Sequence, residues 1–160
     1  MRGRTLKSTP PTVFAVAVII AAAMVILHNL IIARLPFAEQ LVTQLEPRHE
    51  RELDLFVQQS TLLTTLTTGV LAALGAVVLT FKDQALRHHE LIPFVATIVL
   101  AGLSLYFGYE AYEQAMLMLR IKIFNLDSPV VLWPRRLQFY TFLASTICGL
   151  YFVLARVSNR

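Results

Sequence analysis

Four stretches of the chain, at about residues 12–33, 56–81, 91–112 and 137–155, are apolar for roughly the length that crosses a bilayer core. Such runs leave few folding options. Lipid offers no partner to a backbone N–H or C=O, so each segment must satisfy its own hydrogen bonds as a helix. Four of them with short connections predict an all-α integral membrane protein, a four-span antiparallel helical bundle. With 160 residues, 56% hydrophobic and 15% charged, residues 1–160 read as a single membrane domain. The net charge of +4 sits at span edges, which favours anionic lipid head groups over nucleic acid as a partner.

The first span follows a basic leader (Arg2, Arg4, Lys7), with Ser8 or Thr9 as cap and Pro10 and Pro11 in the first turn. Its apolar run is too long for a secretory signal, and an uncleaved anchor is expected. Between Pro36 and Pro47 a short interfacial helix is expected, with Phe37, Val42 and Leu45 on one face. The second helix is expected to begin just after Pro47 and the third to run on to about Phe124. Both then exceed the bilayer on the same side, as a helical hairpin about 15 Å proud of the lipid. Trp133, Pro134, Arg135 and Arg136, with Tyr140 a turn later, mark the boundary at the start of the fourth span.

Matching stripes of small residues predict how spans 2 and 3 meet. One is Gln58, Thr61, Thr65, Thr68, Ala72 and Gly75; the other is Thr97, Ala101, Ser104, Gly108, Ala111 and Ala115. Spacings of three and four put each set on one helix face. In lipid, small residues allow backbones to approach closely and hold by packing. An antiparallel register then sets Gly75 opposite Thr97, Thr68 opposite Ser104 and Thr61 opposite Ala111, and carries Glu50 to Lys122. Thr141, Ser145 and Cys148 give span 4 a shorter small face, in which the lone cysteine reads as a packing residue.

Lys and Arg are equally numerous on the two sides: Arg2, Arg4, Lys7, Lys82, Arg87, Arg156 and Arg160 face Arg34, Arg48, Arg51, Arg120, Lys122, Arg135 and Arg136. The balance gives no orientation, and the basic leader alone favours cytoplasmic termini in a multi-pass protein.

Polar residues inside the spans are the candidate functional groups. His28 and Asn29 lie in span 1, where polar side chains face the bundle; an interhelical hydrogen bond is expected, and a proton or ion relay is the functional alternative. Ser60, Thr61, Thr64, Thr65, Thr67 and Thr68 cover more than one face of span 2, so Ser60, Thr64 and Thr67 need a second neighbour: span 1, another subunit or water. With His28 and Asn29 they form a candidate polar pathway. Glu110 and Glu113 share a face where span 3 leaves the membrane, and Arg135 and Arg136 are expected to answer them as an interface charge cluster. His88, His89 and Glu90 read as a solvated turn. No histidine pair is placed for haem, and no zinc, phosphate-loop or hydrolase motif occurs; no cofactor and no catalytic residue are expected.

The functional expectation is therefore a non-enzymatic membrane subunit. It would act through helix–helix association with itself, as a homo-oligomer, or with a membrane or soluble partner, using Thr61, Thr65, Thr68, Ala72, Gly75, Thr97, Ala101, Ser104, Gly108 and Ala111. The alternative is a small oligomeric channel or transporter with a threonine-lined path.

Overall fold

A computed structural model describes residues 10–32, 47–80, 86–120 and 128–158, all but a few of them helical. The basic leader, the expected Pro36–Pro47 helix, Lys82 and Lys122 lie outside these residues. Four helices follow in order: α1 (Pro10–Ile32), α2 (Pro47–Thr80), α3 (His88–Arg120) and α4 (Pro129–Ser158). Three of them, over Glu50–Thr80, His89–Arg120 and Pro129–Ser158, are long and apolar enough to cross a membrane; α1 carries a shorter apolar stretch over Ala15–Leu30.

Local chemistry sets the helix starts. Proline at the first position of α2 and of α4 has no N–H to leave unmatched and a φ suited to the helix. Ser128 precedes Pro129, and its carbonyl accepts from the Val131 and Leu132 N–H groups. At α3 the Arg87 carbonyl accepts from the Glu90 and Leu91 N–H groups. The Glu90 carboxylate turns back to accept the Arg87 N–H at 3.0 Å, the acidic half of a capping box. The fourth helix begins at Pro129 rather than near Leu137, so Trp133, Pro134, Arg135 and Arg136 lie within it.

α3 is the hub. It packs on α4 along most of its length, and on α2 and α1 more locally; α2 also touches α4. The α3–α4 pair is antiparallel, with one register from end to end. Glu90 meets Arg156, Phe94 meets Phe152 with ring centroids 5.3 Å apart, and Gly149 lies against Thr97. Gly108 lies against Gln138. At the far end Ala111, Ala115 and Met118 close with Val130, Val131 and Phe56 of α2 into a buried apolar cluster.

This pairing differs from the expected one. The α3 stripe is buried at every position, Thr97 to Ala115, but chiefly against α4. The α2 stripe, Gln58, Thr61, Thr65, Thr68, Ala72 and Gly75, is exposed at every position. α2 turns inward instead through Phe56, Leu63, Thr67 and Leu74. The physical reason lies in the hydroxyls. Ser145 of α4 donates to the Thr97 carbonyl at 3.0 Å and Ser104 of α3 donates to the Gln138 carbonyl at 3.0 Å, so two interhelical bonds join α3 to α4. On α2, Thr65 donates to the Thr61 carbonyl, and Thr68 to those of Thr64 and Thr65. A threonine bonded to its own helix has no proton left for a neighbour, although Thr67 and Thr97, bonded in the same way, are buried between helices where they can still accept or pack.

Candidate functional site

Two clefts flank α3, one on each side, and the polar residues of the spans divide between them. The first lies between α1, α3 and α4. Met24, Leu27 and His28 of α1 face Phe107 of α3 and Trp133 and Leu137 of α4 across about 220 Å³. His28 is buried, with its ring edge-on to Phe107 at 5.0 Å and 70°. Its Nε2 makes no hydrogen bond to the protein. Asn29 donates to the Val25 carbonyl at 3.0 Å and to the Tyr106 hydroxyl at 3.3 Å. The expected interhelical bond from this pair therefore comes from Asn29, and it reaches α3 rather than the threonines of α2.

The second cleft, of about 390 Å³, lies between α2 and α3. Ser60, Thr61, Thr64 and Thr65 form one wall, and Gly108, Tyr109 and Tyr112 the other. Thr67 is on neither wall. It is fully buried, donates to the Leu63 carbonyl at 2.7 Å and lies 3.4 Å from the Ser104 hydroxyl. The expected pathway of His28, Asn29, Ser60, Thr64 and Thr67 is thus distributed over two sides of α3. Phe107 faces the histidine and Tyr106 meets Asn29; Gly108 and Tyr109 face the hydroxyls.

The charged cluster also takes another form. Arg135 donates to the Gln59 carboxamide and stacks its guanidinium over Phe56 at 5.7 Å, a cation–π contact. Glu110 accepts from Gln114 at 3.1 Å, and Glu113 and Arg136 are exposed. Among the described residues no ion pair joins Glu110 or Glu113 to Arg135 or Arg136.

Sequence reading missed the principal buried ion pair. Arg156 Nη1 meets Glu90 Oε2 at 2.7 Å, with side chains only 6% and 1% exposed. The sequence places both at membrane edges, as a solvated turn and a flanking cation. The available signal was spacing, since Arg156 continues the α4 face of Thr141, Ser145, Gly149 and Phe152. Gln138, 1% exposed against Gly108, was also missed, and its Nε2 makes no hydrogen bond. Among the described residues no three His, Cys, Asp or Glu side chains gather as a metal site. Comparison with protein-family models, curated proteins and solved structures finds no match to the chain.

Proposed function

We propose that this chain is a non-enzymatic, multi-pass membrane subunit that works by association of α2 with a further transmembrane helix. That helix comes from a second copy or from a partner membrane protein. The observation that carries the reading is the exposed stripe from Gln58 to Gly75, of which Thr61 and Thr65 also line the cleft towards α3. Every member is exposed, and a Cβ added at Gly75 or Gly69 would meet nothing within 4 Å. Only 17% of the apolar stretch of α2 is buried, against 44% for α3 and 28% for α4. A face that allows close approach, on the least covered of the three long helices, suits a packing partner. In this reading all four helices cross the bilayer and the termini are cytoplasmic. The 34 residues of α2 and 33 of α3 then outrun a core that needs about twenty, as a hairpin offering a second surface for contact.

The test is the mass and composition of the complex extracted gently from its native membrane, for the wild type and for Gly75→Leu. The expected wild-type species contains a second copy or a stoichiometric second protein. Gly75→Leu is expected to release the partner without altering helix content or melting, because nothing among the described residues abuts that position. A wild-type species that is one copy alone would overturn the reading.

The cleft of Ser60, Thr61, Thr64 and Thr65 favours a second reading, an oligomeric channel or carrier. Liposomes holding the wild-type protein would then pass ions or small solutes faster than empty ones. Flux equal to that of empty liposomes would remove this alternative.

A further inference from the structure

The cleft on the α1 side of α3 has the composition of a ligand site, and the proposed association of α2 does not use it. Of its six lining side chains, three are flat π systems: His28, Phe107 and Trp133. The others, Met24, Leu27 and Leu137, are apolar. His28 is 4% exposed, and its Nε2 has no hydrogen bond to the protein. Native folds rarely leave a buried polar nitrogen unmatched, and this one belongs to a residue that lines the cleft, so a group entering there is a candidate partner. Among the described residues no charged side chain lines the cleft. Glu110 lies three residues beyond Phe107 on α3.

We propose that this cleft binds a lipid-borne ring bearing an oxygen, a quinone or a phenol, with that oxygen hydrogen-bonded to His28 Nε2. Size supports a ring. A cavity of about 150 Å³ holds benzene, so about 220 Å³ accommodates one substituted ring. Chemistry supports an uncharged oxygen ligand: aromatic walls take a flat apolar body by stacking or edge contact, and one nitrogen fixes its orientation. Position supports delivery from the bilayer. Trp133 is 48% exposed and lies two residues before Arg135, the arrangement of a membrane–water boundary, where ring compounds with one polar end reside. The proposal rests on the helices being membrane-spanning.

The chain's one tryptophan is in the cleft wall, so intrinsic fluorescence reports on this site alone. The full-length protein in lipid nanodiscs is titrated with a decyl-substituted benzoquinone, with its quinol, and with decylbenzene. Saturable quenching or shift of Trp133 emission is expected for the quinone or the quinol, at least tenfold tighter than for decylbenzene. The better of the two oxygen ligands tells whether Nε2 donates, to a carbonyl, or accepts, from a hydroxyl. His28→Leu is expected to erase the tenfold preference while melting and helix content hold. If that variant does not fold, Leu27→Phe, which fills the cleft from an exposed position, is expected to erase saturation for all three probes. Emission changes that rise linearly with probe would overturn the proposal, as would equal affinity for decylbenzene or indifference to both substitutions. Extraction of the protein by alkaline carbonate without detergent would overturn it together with the membrane reading. Absence of an α2 partner leaves it intact.

Discussion

Glu90 is bound twice over: it caps its own helix at Arg87 and receives Arg156 from the end of α4. The two members of the pair are not equivalent when one is removed. A carboxylate left without its cation can take up a proton, whereas a guanidinium remains charged in any protein environment. Glu90→Gln is therefore expected to cost about 3–5 kcal/mol, the range for breaking a buried pair. Arg156→Met should cost less, and the double variant should recover much of the Glu90→Gln loss. Denaturant unfolding of the three proteins in micelles measures this. Equal losses from the two single changes would count against the account.

At the scale of helices, the same substitution should have opposite signs at two glycines of α3. A methyl at Gly108 would land on the Gln138 carboxamide, 2.9 Å from its Cδ, and Gln138 is 1% exposed with little room to retreat. Gly108→Ala is expected to destabilise by about 1–3 kcal/mol, the usual cost of overpacking. At Gly102 nothing lies within 4 Å, and Gly102→Ala should be neutral or stabilising by up to about 1 kcal/mol through helix propensity. A paired melting experiment decides it, and two stabilised variants would show that α4 does not follow this register. The helices themselves were legible, because apolar run length and proline placement are local properties. The partner of the α3 stripe was not. A small-residue face says that something packs closely; it does not say which helix. That choice fell to hydroxyls such as Ser145, whose proton goes either to its own helix or across to Thr97. Spacing alone cannot tell these apart. The aromatic half of the His28 cleft was equally hidden, since Phe107 and Trp133 come together only once α1, α3 and α4 are assembled.

For the molecule as a whole, the four-span reading places both termini on one face of the membrane, and sequence charge left only the leader to choose that face. Cys148, the chain's one cysteine, allows a direct determination. With Cys148→Ser as background, Ser158→Cys at the end of α4 is expected to react with an impermeant maleimide only after the cells are opened. Glu113→Cys, exposed towards the other end of α3, is expected to react in intact cells. The reverse pattern would invert the protein. Labelling of both in intact cells would remove the antiparallel crossing of α3 and α4.

The contrast between the two small-residue stripes also bears on how the protein is made. α2 leaves the ribosome before α3 and α4, and its Thr65 and Thr68 hydroxyls are matched within the helix, so in the membrane-spanning reading it is expected to pass into lipid alone. α3 arrives next carrying Glu90 and Ser104, and the α4 groups they meet, Arg156 and the Gln138 carbonyl, are not yet synthesised. Its entry into the hydrocarbon is expected to wait for α4, so that the insertion machinery discharges the last two helices as a pair.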